Sequence, residues 1–167
     1  ARITIAGGYA QAKANKLVGG DIFLGGRAGS TVLGTANVMM AATLAEGITV
    51  IESAACEPEV VDLANFLNAM GAKIAGAGSP IITITGVKEL HGAEHEVIPD
   101  RIEAATYLIA GAATRGEVTV KGANASHLSA VLDKLHDAGV RVERSGAALI
   151  ARRNGKLKAV DITTLPY

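Results

Sequence analysis

Cysteine is nearly missing from this chain: Cys56 is the single one in 167 residues, so no internal disulfide can form and a reducing, cytoplasmic setting is expected. Long apolar runs are missing as well. No stretch approaches the roughly 20 residues that span a bilayer, and no basic-then-apolar leader occurs in it. Excess charge of one sign is the third absence. Lys plus Arg and Asp plus Glu number 16 each, which leaves no overall basic field to attract nucleic acid or an acidic membrane, and neither is expected as a partner. What remains is a neutral chain with 49% hydrophobic residues, too apolar for disorder and long enough to bury a real core as one ordinary domain or two small ones. Such a chain suits small molecules or protein partners.

The most regular stretch runs from Val32 to Ile74. Val32, Thr35, Ala36, Met39, Met40, Thr43 and Leu44 recur at helical steps and are expected to share one face. Gly47 stops that helix, and the β-branched run Ile48, Thr49, Val50, Ile51 reads as a buried strand. A second helix opens at Glu57-Pro58-Glu59, where proline forfeits only an amide that the first turn leaves unpaired and two carboxylates meet the positive end of the helix dipole. Its inward stripe is Val60, Val61, Ala64, Leu67 and Met70, and Gly71 closes it before a strand at Ala72 to Ile74.

Ahead of this stretch, Ile3, Ile5, the Gly7-Gly8 turn and Tyr9 to Ala12 read as a hairpin, and Ile22 to Leu24 as a strand. Behind it, Ile81 to Thr85 makes a hairpin with the preceding strand, and Lys88 to Glu96 is an exposed connection. Val97-Ile98-Pro99 is expected to be a strand. Asp100 and Glu103 have capping-box spacing for a helix with the stripe Ile102, Ala105, Thr106, Ile109, Ala112 and Ala113, ended by Gly116. A strand follows at Glu117 to Lys121, then a helix capped by Ser126 with Leu128, Val131, Leu132, Leu135 and Ala138 inward, ended by Gly139. Strands at Val140 to Glu143, Ala148 to Ala151 and Ala159 to Ile162 complete the set.

Two of these segments repeat. Gly47 to Ile74 and Gly116 to Val142 share the order glycine stop, strand, capped helix, glycine, strand; 116 minus 47 is 69 and 139 minus 71 is 68. A repeat of this size needs neighbours to cover its faces. Together with a start at Ala1 inside a strand and an end at Leu165-Pro166-Tyr167, this gives the expectation of a piece cut from a larger symmetric α/β body.

The turn Gly25 to Thr31 feeds a helix N-terminus. Free amides, a hydroxyl cap and the Arg27 guanidinium could cradle a phosphate, but the pattern matches neither the P-loop nor the dinucleotide fingerprint, and the favoured reading is that the glycines turn the chain and Ser30 or Thr31 caps the helix. His91 and His95 stand four apart, but Gly92 between them argues against a helix and against a shared metal.

The runs AATLAEGITVIESAACEPEVVDLANFLNAMGAKI, VIPDRIEAATYLIAGAATRGEVTV and LDKLHDAGVRV closely resemble the enolpyruvyl transferases that act on UDP-N-acetylglucosamine, collinearly over nearly the whole chain. The resemblance implies an α/β fold: parts of two inside-out α/β domains built from βαβαββ repeats, helices inside and sheets outside. Residues 1–98 would be the later part of the loop-bearing domain and 99–167 the beginning of the second. It implies transfer of the enolpyruvyl group of phosphoenolpyruvate to the 3-hydroxyl of UDP-N-acetylglucosamine in peptidoglycan precursor synthesis, with no cofactor and no metal. The family's catalytic positions fall outside this sequence, so turnover by the chain alone is not expected. Its nucleotide-binding turn corresponds to Gly29, Ser30, Thr31 and Val32, with Arg27 standing in for the usual lysine of a shorter turn. Glu57, Glu59, Asp100, Arg101 and Glu103 match charged positions near the domain junction, with helix capping and interdomain salt bridging as their expected roles. The family's loop cysteine lies outside the chain, so Cys56 is read as an incidental small residue. The alternatives are a UDP-sugar-binding module without chemistry and a fragment of a shikimate-pathway relative.

Overall fold

Alternation at Ile3 and Ile5 pairs Arg2–Ala6 (β1) with Tyr9–Lys13 (β2) as an antiparallel ribbon, Ala6 opposite Tyr9 across the Gly7-Gly8 turn. The computed structural model describes residues 2–27 and 29–164; Ala1, Ala28 of the glycine-rich turn and Leu165-Pro166-Tyr167 lie outside the described residues. Two compact units result, one over 2–96 and one over Val97–Thr164.

In the first unit, Asp21–Phe23 (β3), Val32–Ala42 (α1), Ile48–Glu52 (β4), Pro58–Ala69 (α2), Lys73–Ala75 (β5) and Ile81–Thr85 (β6) follow one another. The sheet order is β3-β4-β6-β5, with β3 parallel to β4 and the other neighbours antiparallel. One face of the sheet is dry: Thr49 and Ile51 of β4 and Ile82 and Ile84 of β6 are buried with Met39, Ala42, Val60, Ala64 and Leu67 of the helices. Each large aliphatic side chain so buried contributes about 1.5–3 kcal/mol. Ile48 and Ile81, on the opposite face, are exposed. Gly71, at φ 99°, takes the left-handed position after α2 and lets the Ala72 amide reach the Leu67 carbonyl at 3.0 Å.

The second unit holds Arg101–Ala113 (α3), Glu117–Lys121 (β7), a 3-10 turn at Ala125–Leu128, Ser129–Asp137 (α4), Arg141–Ser145 (β8) and Ala148–Arg152 (β9). Its antiparallel sheet has the order β7-β9-β8, the same arrangement as β4-β6-β5. The repeat therefore extends to topology, and it extends to packing. Thr35, Met39, Ala42 and Thr43 are buried in and just after α1; Ala104, Leu108, Gly111 and Ala112, each 69 positions later, are buried in α3.

Several expectations are corrected. Met40 lies on the exposed side of α1 rather than on the buried one, and Leu44 falls in the turn beyond the helix, also exposed. Ile102 and Ile109 are exposed on α3, whose inward face is Ala104, Leu108, Gly111 and Ala112. The reason is close approach: a Cβ on Gly111 would press into the Val118 side chain, so small residues select the face that meets the sheet. Val97-Ile98-Pro99 and Ala159 to Ile162 form no strand. The cap after β7 is Asn124, whose Oδ1 accepts the Ser126 amide at 3.1 Å. At the end of α3, Arg115 rather than Gly116 is left-handed, at φ 56°, and the Gly116 amide closes the helix on the Gly111 carbonyl at 2.9 Å.

Candidate functional site

Because β3 and β4 run parallel, with Asp21 beside Val50, the helices that follow them both start at the same end of the sheet. Crevices at the carboxyl ends of parallel strands are where α/β sheets hold ligands. The Leu24 amide extends the pairing to the Glu52 carbonyl at 2.9 Å, after which the chain turns. Gly25 must be small there, since a Cβ would collide with the Phe23 ring and approach Ser53 Oγ. Gly26 and Gly29 exchange amide-to-carbonyl bonds of 2.9 and 3.0 Å, which leaves Arg27 exposed at the tip. Gly29 sits at φ 94° and Ser30 is half-buried. Thr31 is the cap of α1, its hydroxyl accepting the Gly34 amide at 3.2 Å, and Val32 opens the helix. Arg27, Gly29, Ser30, Thr31 and Val32 are thus gathered at one helix start, where first-turn amides face outward.

The segment leaving β4 lies alongside. Ser53 is left-handed, at φ 55°, a conformation uncommon for a residue with a side chain. The Ala54 amide donates to the Pro80 carbonyl at 2.9 Å, and the Ala55 amide to Thr35 Oγ1 at 3.0 Å. Thr35 in turn donates its hydroxyl to the Thr31 carbonyl at 2.8 Å, so one buried side chain ties the start of α1 to the chain that leads into α2. Neither Ser53 nor Thr35 stands out in the sequence; a threonine inside an apolar helical stripe gives no signal that it bonds 20 residues away.

Glu57 occupies the cap position of α2 but makes no capping bond, contrary to its expected role; it is 8% exposed and its Oε2 is buried without a hydrogen-bond partner. Glu59 lies in the first turn, at the positive end of the helix. Cys56 is half-buried, and burial, then the neighbouring Glu57 carboxylate, pushes its thiol above the ordinary value. Both effects suppress the thiolate that a nucleophile needs.

In the second unit Asp100 caps α3 by accepting the Ile102 and Glu103 amides at 2.8 and 3.1 Å. Arg101 is half-buried and Glu103 exposed in the first turn. Asp100 and Glu103 border a cavity of about 260 Å³ with Tyr107 and Lys121, at the place in this repeat that corresponds to the crevice of the first. A second cavity, about 280 Å³, is lined by Arg115, Arg153 and Lys156. Arg153 there is committed to the Gly155, Ala112 and Ala113 carbonyls, and the negative end of α3 disfavours an anion. Among the described residues no three His, Cys, Asp or Glu side chains are grouped to hold a metal, and no helix is long and apolar enough to cross a membrane.

Comparison with known proteins adds to this geometry. A relative from Carboxydothermus hydrogenoformans named UDP-N-acetylglucosamine 1-carboxyvinyltransferase 2 is 53% identical over 100% of this chain and 40% of its own length. Relatives of the same enzyme name from Caldanaerobacter subterraneus subsp. tengcongensis and Magnetococcus marinus are 52% and 49% identical, again over 100% of the chain. The chain thus spans about 40% of the length of these relatives. In fold, the enolpyruvyl transferase NikO from Streptomyces tendae superposes with a TM-score of 0.85 over 98% of this chain and 42% of that one, at 22% identity. EPSP synthase from Acinetobacter baumannii gives 0.53 over 81% of this chain and 31% of that one, at 23% identity. The pattern that defines EPSP synthase (3-phosphoshikimate 1-carboxyvinyltransferase) matches residues 1–167, and the chain belongs to that family of enolpyruvyl transferases.

Proposed function

We propose that this chain is the central part of a transferase that moves the enolpyruvyl group of phosphoenolpyruvate to the 3-hydroxyl of UDP-N-acetylglucosamine, in peptidoglycan precursor synthesis. The observation that carries the reading is identity of 49–53% along the whole chain to relatives bearing that enzyme name. A further support for a larger parent is the outer face of the helices: Leu33 and Met40 on α1 and their counterparts Ile102 and Ile109 on α3, 69 positions later, are apolar and exposed. Equivalent stripes left open in both repeats suit a body in which further helices cover them. Residues 1–98 then form the later part of the loop-bearing domain and 99–167 the beginning of the other.

Addition of the hydroxyl to C2 of the enol phosphate as the methylene carbon gains a proton, then loss of phosphate as that carbon gives a proton back to form the enol ether, needs a proton donor and acceptor at that carbon, a base at the hydroxyl and cations around the phosphate. The chain's own share is binding. Outward amides at the start of α1 and the hydroxyls of Ser30 and Thr31 suit a diphosphate, with Arg27 as the neighbouring cation. Glu57 and Glu59 stand at the start of α2 and Asp100, Arg101 and Glu103 at the start of α3, and a cytoplasmic enzyme is the reading that agrees with these substrates.

The test is phosphate release by the full-length protein containing this sequence. Release that requires both UDP-N-acetylglucosamine and phosphoenolpyruvate is expected, and none from the 167 residues alone. Release with shikimate 3-phosphate in place of the nucleotide sugar overturns the substrate assignment. Saturable UDP-sugar binding by the isolated chain, with no activity of the full-length protein, points instead to a binding module.

A further inference from the structure

The connection after β6 has no helix or strand, yet it is held against α2 at two places. The His91 amide donates to the Met70 carbonyl at 2.9 Å, beside Gly71, where a Cβ would touch the His91 ring. Four residues on, His95 Nε2 lies 2.9 Å from Asp62 Oδ1, and its ring stacks on Phe66 at 5.1 Å between centroids and 30° between planes. Asp62 and Phe66 are one helical turn apart and present a carboxylate and an aromatic face side by side. The two partners of the polar contact retain 18% and 14% side-chain exposure, so water competes poorly for it. A carboxylate only accepts, so His95 donates through Nε2–H. Immediately beyond, Val97 is 73% exposed, and the next fixed point is the Asp100 cap.

We propose that Asp62, Phe66 and His95 form a clip that fixes the path by which the chain leaves the first unit, confining flexibility to the three residues between His95's neighbour Glu96 and Asp100. His91 at the end of α2 and His95 at its middle set the direction of the segment, as two pins set a line. The two histidines serve separate contacts, in keeping with the expectation that they share no metal: the His91 Nδ1 faces the Gly92 carbonyl at 3.0 Å while His95 faces Asp62.

Hydrogen exchange read by mass spectrometry on the full-length transferase tests the clip. In His95→Ala, amides of 88–96 should exchange about tenfold faster, with peptides from β4 and β6 unchanged. His95→Phe, which keeps the ring on Phe66 and loses the bond, should recover part of the protection. Asp62→Ala provides the same test from the helix side should the histidine variant fold poorly. Unchanged exchange in 88–96, or acceleration spread evenly over β4 and β6, overturns the proposal. So does a nitrogen spectrum in which the His95 ring carries its proton at Nδ1 alone.

Discussion

Thr35→Val exchanges one hydroxyl for a methyl at a position with no solvent exposure, beside the helix start that is proposed to hold the nucleotide. Two bonds are lost, and their consequences differ. The Thr31 carbonyl keeps a donor, because the Thr35 amide also reaches it at 2.9 Å. The Ala55 amide has no such reserve: Ala55 is fully buried and Thr35 Oγ1 is its acceptor at 3.0 Å. An orphaned buried donor costs about 1–3 kcal/mol. The added methyl returns less than about 1 kcal/mol of burial. The net expectation is a loss of about 1–2 kcal/mol. Urea unfolding of the full-length protein reads the loss, and exchange at the Ala55 amide reads its cause. Thr35→Ser keeps both bonds and forfeits a methyl, so it lowers stability by about 1 kcal/mol while the Ala55 amide stays protected. A valine variant that unfolds at the wild-type midpoint with that amide still protected would refute the account, since the hydroxyl would then not be what joins α1 to the chain entering α2.

Arg115→Gly relieves a left-handed side-chain-bearing residue and should raise stability by about 0.5–1 kcal/mol, read as a higher unfolding midpoint; a lower midpoint counts against strain at that position. Leu108→Ala opens the core of the second unit, where Leu108 is fully buried, and should cost about 2–5 kcal/mol, with faster proteolysis in 101–152 before 2–86. Cys56 should be alkylated by iodoacetamide more slowly in the folded than in the unfolded protein, as mass spectrometry of its peptide can show. Because its folded value is raised, the thiol's contribution to stability is complete below the unfolded value and is lost as pH climbs through the folded one. Equal alkylation rates, or stability that rises through that alkaline window, contradict the assignment.

Strands and helix ends that announce themselves locally were legible. Ile48 to Ile51 is β-branched and bounded by Gly47; Pro58 starts α2 and Gly71 ends it; the recurrence 68 and 69 positions later carries the same logic into the second unit. What failed depends on partners that a local pattern does not contain. Helix α3 is apolar on several sides, and the choice of Ala104, Leu108 and Ala112 over Ile102 and Ile109 rests on how closely Gly111 lets it approach Val118. Val97-Ile98 has strand-like residues but pairs with no strand among the described residues, and Pro99 supplies no amide. At the site, Thr31 and the glycines could be found from spacing. Ser53 and Thr35 could not, since a left-handed serine and a bond across 20 residues leave no mark on composition or period.

The position of β7 has a practical corollary. In the first unit β3 flanks β4, whereas among the described residues the equivalent β7 pairs with β9 alone and keeps one border open. Its residues read Glu-Val-Thr-Val-Lys, with opposite charges at its two ends: two such segments paired antiparallel put Glu117 of each against Lys121 of the other, with valines between. An open border of this kind is where a second copy could pair edge to edge, and dilution should reverse any association that arises there.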